Sequence, residues 1–255
     1  MDFHKAITLV GLLASAFVLA ACDSSANTDA SPPAPVKSAS MADRKATLAA
    51  TFDYELRTEE YSMQDDRFPF GYWEIIRVYP EVVSADQPAA ASAVNERIST
   101  LVGQFGCDGM GDESFHTREI YLDNGLLSMT YEATWTCATM QAPDGRAGFL
   151  NLDLASGSEL TLDEQFQDRY AYERFQKSAL EALNDALEDQ VDGRDLDCPE
   201  ITELSGFYTD GTELWVAALA PEHGMTHCDV RTGFLLTSLQ DQLKPHSPLG
   251  LAVLR

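Results

Sequence analysis

The residues best placed to do chemistry are cysteines. Cys22 directly follows Leu19-Ala20-Ala21, at the end of an uncharged apolar run that starts at Ala6 behind Lys5. A run this short, ending in small residues, is an export leader rather than a spanning helix. A thiol at that cut is the acceptor of a lipobox: the sulfur is diacylated, the leader over residues 1–21 is removed, and the new amino terminus is acylated. Each buried methylene stabilises the anchor by roughly 0.8 kcal/mol, so about two or three palmitate-length chains hold a protein on a bilayer almost permanently. The sequence therefore predicts a lipid-anchored envelope protein that faces the periplasm. Asp23 is an inner-membrane retention signal in some bacterial lipoproteins, and the choice of membrane stays open.

With Cys22 committed to lipid, Cys107, Cys137, Cys198 and Cys228 remain, an even number that in an oxidising compartment predicts two disulfides. Three pairings are possible. The preferred one is local, Cys107 with Cys137 and Cys198 with Cys228, each closing a loop worth about 3 to 4 kcal/mol in the chain-entropy view. The competing use is zinc, with His116, His223 and His227 as further ligands. The sequence lacks the Cys-x-x-Cys spacing of such sites, so no metal is expected.

Other chemistry is thinly supported. There is no Gly-x-Ser-x-Gly elbow, no His-Glu-x-x-His and no phosphate-cradling glycine loop. His116, His223, His227 and His246 are scattered and read as surface or loop residues. Asp189, Asp192, Asp195 and Asp197 around Gly193 loosely resemble a calcium loop, but the spacing is not that of an EF-hand and a solvated acidic loop is expected. With 41 acidic residues, a glycosidase-like carboxylate pair can be imagined but not chosen.

The elements that would position these groups follow from periodicity. Residues 22–44 are rich in Ala, Ser and Pro and read as a spacer, leaving 45–255 as the folded domain. Alternation at Phe52, Tyr54 and Leu56, and the aromatic and β-branched stretch from Gly71 to Val83, predict strands. Asp86 as N-cap and Pro88 in the first turn open a helix that presents Val94, Ile98, Leu101, Val102 and Phe105. Strands at His116–Asp123 and Leu126–Cys137 flank the turn Asn124-Gly125. Pro143-Asp144-Gly145 turns into a strand over Ala147–Leu154.

A second helix is expected over Asp163–Gln190, with Tyr172, Phe175, Ala179, Leu183 and Leu187 on one face. Strands near Ile201–Thr209 and Thr212–Ala220, about the turn Asp210-Gly211, form a second hairpin. A strand at Val230–Leu236 and a helical turn at Leu239–Leu243 follow. The expected fold is α+β: a mainly antiparallel sheet with two packed helices in one disulfide-bonded domain. The aromatic residues Tyr61, Phe68, Phe70, Tyr72 and Trp73 are candidates for an interface, but most are expected in the core.

The formal charge is −24, and removal of the leader takes away one Asp and one Lys and leaves it unchanged. Such a surface repels nucleic acid and anionic headgroups and attracts basic proteins. The acidic loops beside the disulfide cysteines, with Asp108, Asp112 and Glu113 in one and Asp192, Asp195 and Asp197 in the other, are the candidate partner-binding residues.

Several residues together resemble the extracellular domain of the RsiV type, which occurs in a lysozyme-sensing anti-sigma factor and beside PdaC-like peptidoglycan deacetylase domains. They are Tyr79-Pro80, Asn95, Ile98, Leu127-Ser128, Asn151-Leu152-Asp153-Leu154, Gly157, Leu160-Thr161-Leu162 and Phe166, then Phe207-Tyr208, Asp210-Gly211 and Leu214, within a span from Tyr72 to Lys244. The family's Gly-Gly-Ala-His element is replaced by Gln-Ala-Pro-Asp-Gly-Arg-Ala-Gly at 141–148, and no anti-sigma or deacetylase segment is present, so signalling and deacetylation do not carry over. The resemblance implies an α+β binding domain for lysozyme or cell-wall material; with no catalytic motif in the sequence, the leading reading is non-enzymatic and no cofactor is expected. A carboxylate-dependent envelope hydrolase and an assembly lipoprotein are the alternatives.

Overall fold

The computed structural model describes residues 41–64, 72–107, 110–138, 140, 142–191, 198–220 and 226–253. All belong to the unit Val36–Arg255. The chain enters through helix α1 (Met41–Ala49), which takes up the last positions of the Ala-rich stretch, where proline no longer interrupts. Strands β1 (Asp53–Gln64) and β2 (Tyr72–Val83) pair antiparallel, and α2 (Pro88–Val102) crosses over to β3 (Gly111–Asp123), which runs parallel to β2. Strands β4 (Leu126–Cys137), β5 (Asp144–Asp153) and the short β6 (Ser158–Glu159) complete a six-stranded sheet in sequence order.

After a 3-10 turn at Asp163–Gln165, α3 (Arg169–Val191) lies over a separate three-stranded antiparallel sheet of β7 (Gly206–Thr209), β8 (Glu213–Ala218) and β9 (Val230–Leu235). A 3-10 turn at Leu236–Leu239 and α4 (Pro248–Ala252) finish the domain. The α+β class and the mainly antiparallel sheet stand as expected. The parallel β2–β3 pair and the short helices α1 and α4 are additions. Among the described residues no helix is long and apolar enough to cross a membrane.

The core is organised in two parts. Val94, Ile98 and Val102 of α2, at helical spacing, pack on Phe115, Leu127, Met129 and Leu152 of the large sheet. Phe175, Ala179, Leu183 and Leu187 of α3 pack on Leu214, Val216 and Val230 of the small one. The hairpin turn at Asn124-Gly125 has positive φ at both residues (53° and 78°), the two-residue geometry whose twist matches the strands.

Specific side-chain and strand contacts moved several boundaries. Asp86 does not cap α2: its carboxylate accepts from the Thr51 amide at 3.2 Å, and Gln87, without a side-chain cap, occupies that position. The second helix starts at Arg169 rather than Asp163, because Phe166 is extended and Asp168 accepts from the Ala171 amide at 2.8 Å. Residues 201–205 are not strand: Asn184 of α3 takes both the amide and the carbonyl of Ile201, at 2.9 Å each. β3 starts five residues early because Glu113–His116 pair with Ile75–Val78. β5, which pairs with β4, begins at Asp144, inside the predicted turn. The expected helical turn at Leu239–Leu243 is present, the Leu243 amide donating to the Leu239 carbonyl at 3.1 Å, and it continues a 3-10 turn at Leu236–Leu239.

Candidate functional site

Both local disulfides are formed, Cys107–Cys137 and Cys198–Cys228. The first ties the segment after α2 to the end of β4. Beside it Glu113 is only 8% exposed. One of its oxygens accepts from the Cys107 amide and the other meets the Arg77 guanidinium, both at 2.7 Å. The neighbouring Asp112 is exposed, and Oδ1 accepts from the Glu74 amide at 2.9 Å. Alternation explains the split: adjacent strand residues face opposite ways, so of these two only Asp112 meets solvent. Asp108, Asp192, Asp195 and Asp197, like Cys22, Phe68, Phe70, Gly193 and His223, lie outside the described residues. Asp189 belongs to the last turn of α3.

The ligand-type atoms of Cys198, His227 and Cys228 lie within 4.8 Å of one another. The two sulfurs are bonded to each other, however, so neither is the thiolate that zinc needs. His116 is on β3. Of the five aromatic residues, most of them expected in the core, Tyr61 and Tyr72 are 52% and 62% exposed. Both belong to the β1–β2 hairpin, Tyr61 on its outer strand and Tyr72 at the first residue of β2.

A cleft of about 540 Å³ opens where β3, β4 and β5 approach α3, β8 and β9. A β-bulge makes it polar. Between Thr117 and Ile120 the register of β3 gains one residue over β4, and Arg118 and Glu119, consecutive in sequence, both line the cleft. Arg118 pairs with Glu132 at 2.7 Å, and Arg231 of β9 reaches Glu119 at 3.4 Å. The Arg231 guanidinium also lies 5.5 Å from the Trp215 ring centre, a cation–π distance, at the end of a stacked series Phe149, Tyr208, Trp215. The Tyr208 hydroxyl, buried and close to the Glu119 carboxylate, is pushed up to about 12. Asp229 is also held above the ordinary carboxylate range by burial, although it accepts from the Ala220 amide at 2.7 Å.

Under the cleft the two sheets are stitched by a buried polar chain. The Thr209 amide donates to Ser128 Oγ at 2.9 Å, Ser128 donates to Asn151 Oδ1 at 2.7 Å, and Asn151 Nδ2 donates to the Phe207 carbonyl at 2.7 Å. Sequence reasoning missed the cleft. Arg118, Glu119, Glu132 and Arg231 have no spacing that announces it, and a one-residue bulge leaves no signature without a Gly or Pro.

No family model and no curated protein matches the chain. Among solved structures, a member of the DUF3298 family from Bacteroides fragilis is 16% identical, with a TM-score of 0.50 over 81% of this chain and 98% of its own. A DUF3298 family protein from Pseudomonas aeruginosa PAO1 is 10% identical, with a TM-score of 0.48 over 78% of this chain and 97% of its own. The likeness is one of fold, and at that level it fits the RsiV-type domain that the sequence resembles.

Proposed function

We propose that the chain is an exported, lipid-anchored envelope protein whose acidic domain binds a basic partner protein, with a c-type lysozyme as the first candidate and cell-wall material as the second. The observation that carries this reading is the charge of −24, much of it on exposed carboxylates: Asp53, Glu55 and Glu60 on β1, and Glu173, Glu181, Asp185 and Glu188 along α3. The leader and Cys22 support export and acylation, and the two disulfides suit an oxidising compartment. The RsiV resemblance supports lysozyme. The acidic loops at Asp108 and Asp112 and at Asp192, Asp195 and Asp197 are the first to neutralise; Glu113 serves its own fold.

The test is calorimetric titration of the full-length protein, purified in detergent, with c-type lysozyme at low and at physiological salt, beside a muramidase assay. Binding that survives physiological salt, with inhibition, is the expected result. Binding that vanishes with salt reduces the idea to charge attraction.

A second reading, a carboxylate-dependent envelope hydrolase, is favoured by one feature: Asp229, shifted towards its protonated form, shares the cleft with Glu119 and Glu132. Turnover of peptidoglycan fragments that disappears in a folded Asp229→Asn variant would support it; no turnover by the parent protein removes it.

A further inference from the structure

β1 is an edge of the six-stranded sheet, and its free side can be read residue by residue. Val82 of β2 spends its own amide and carbonyl on the Asn95 side chain, at 2.8 Å each. Its register partner Tyr54 therefore exchanges no ladder bonds with it. Glu74, an even number of residues along β2, likewise gives its amide to Asp112 instead of to its partner Ser62. Pro80, which has no amide to give, falls in the same set, opposite Leu56. In an antiparallel pair the bonded and non-bonded positions alternate. It follows that Tyr54, Leu56, Thr58, Glu60 and Ser62 turn their backbone groups outward, while Glu55, Arg57 and Glu59 bond β2.

That outward ladder is long and regular. Twelve residue pairs join β1 to β2 without a bulge, and the strand, Asp-Tyr-Glu-Leu-Arg-Thr-Glu-Glu-Tyr-Ser-Met-Gln, contains no proline or lysine to blunt it. Apolar side chains stand exposed along it, Tyr54 at 36%, Leu56 at 57% and Tyr61 at 52%. Among the described residues no further strand covers it. Its charge selects the occupant. Asp53, Glu55, Glu59 and Glu60 stand against Arg57 alone, and Arg57 is already paired with Glu59 at 3.0 Å. A second copy would bring the same acidic strand and the same net charge, and like charges across a strand pair oppose pairing.

We propose that β1 is a strand-addition site for an extended, basic segment of a partner protein, with lysines or arginines at alternate positions. Main-chain bonds to Leu56, Thr58 and Glu60 supply affinity, and the carboxylates with Tyr54, Leu56 and Tyr61 supply selectivity. The inference rests on the reading that the partner is basic, and names the surface it uses.

The probe is a synthetic alternating lysine–valine peptide of about ten residues, a common strand length. Its control carries N-methyl groups on every second amide, which keep the charge and block one ladder edge. With the full-length protein in detergent at physiological salt, the methylated peptide binds about tenfold more weakly than its parent. Hydrogen exchange slows on binding at the amides of Leu56, Thr58 and Glu60, whereas Glu55, Arg57 and Glu59 are slow beforehand. Leu56→Pro deletes an outward donor and the leucine side chain but no bond to β2, so β1 still pairs with β2, and it weakens the parent peptide by at least a similar factor.

Equal affinity for the two peptides, or no slowing at the outward amides, overturns the proposal. So does self-association abolished by Leu56→Pro, which would make a second copy the occupant. Lysozyme binding indifferent to Leu56→Pro removes the edge and leaves the basic-partner reading standing; failure of every basic protein and peptide to bind removes both.

Discussion

Ser128 of β4 and Asn151 of β5 sit opposite each other in the strand register, and their 2.7 Å hydrogen bond is the middle link of the chain that fastens the small sheet to the large one. Both are almost wholly buried, at 0% and 4% exposure. Every polar atom in the chain is matched: Ser128 accepts from the Thr209 amide, and Asn151 donates to the Phe207 carbonyl. This gives a physical account of two positions in the RsiV resemblance, Leu127-Ser128 and the Asn-Leu-Asp-Leu stretch, as connectors between layers.

Replacing one member strands the others. Ser128→Ala leaves the Thr209 amide and Asn151 Oδ1 buried without partners and lowers stability by about 2 kcal/mol, and Asn151→Ala, which adds a small cavity, costs about 3 kcal/mol. Because the damage is shared, the double variant loses less than the sum. Urea unfolding of the four proteins measures this; additive losses would mean that the side chains act independently.

Alkaline titration tests two buried phenols. Tyr79, which donates to Glu59 at 2.6 Å, and Tyr208 are both pushed up from 10 to about 12, by burial first and then by a neighbouring glutamate. A pKa raised on folding means that the native state holds its proton longer than the unfolded chain. The stabilisation is therefore complete below pH 10 and is lost as pH rises through about 12. The urea midpoint falls over that window. Tyr79→Phe and Tyr208→Phe each flatten the fall, with tyrosinate absorbance reporting the ionisation directly. An unchanged slope in both variants would place the ionising groups elsewhere.

How much of this was legible in the sequence depended on the range of the interaction. The Asn124-Gly125 hairpin, the α2 stripe through Val94, Ile98 and Val102, and the α3 stripe through Phe175, Ala179, Leu183 and Leu187 are local patterns, and they stand. Apart from the start of α3, which Asp168 caps locally, the features that moved depend on partners far along the chain. Asp86 looks like a cap until Thr51, 35 residues away, claims its carboxylate. Ile201 looks like strand until Asn184 claims its backbone. The cleft needs a bulge at Arg118 and Glu119 and an arginine 112 residues further on, and the free edge of β1 becomes visible only once the strand order is known.

Arg77 and Glu113 join β2 to β3 at the Cys107–Cys137 corner, and Glu113 is the more deeply buried partner, at 8% side-chain exposure against 25%. Arg77→Ala leaves a nearly buried carboxylate with only the Cys107 amide, a loss of about 2 kcal/mol after discounting for the guanidinium's partial exposure. Adding Glu113→Gln removes the stranded charge while keeping an acceptor for that amide, so the double variant recovers about half of the loss. Thermal unfolding of the single and double variants reads this out. A double variant weaker than Arg77→Ala alone would show that the carboxylate is satisfied by the amide without Arg77.

Arg44 extends the same reasoning to the point where the chain enters the domain. From α1 it reaches Asp153 at 2.9 Å, and Asp153 is 4% exposed in its side chain and also accepts from the Ala155 amide at 3.0 Å. Thr47, one turn further along α1, is buried as well. The helix is therefore pinned at the β5 end of the hairpin by a charge pair whose inner member has little water to fall back on. Arg44→Ala frees α1, speeds hydrogen exchange across Met41–Ala49, exposes the bond after Lys45 to trypsin, and lowers domain stability by about 2 kcal/mol. Asp153→Asn added to Arg44→Ala restores part of the stability, because no charge remains buried, but does not restore protection of the helix. If Arg44→Ala leaves exchange and cleavage at α1 unchanged, packing of Thr47 alone holds the helix and the ion pair contributes nothing to it.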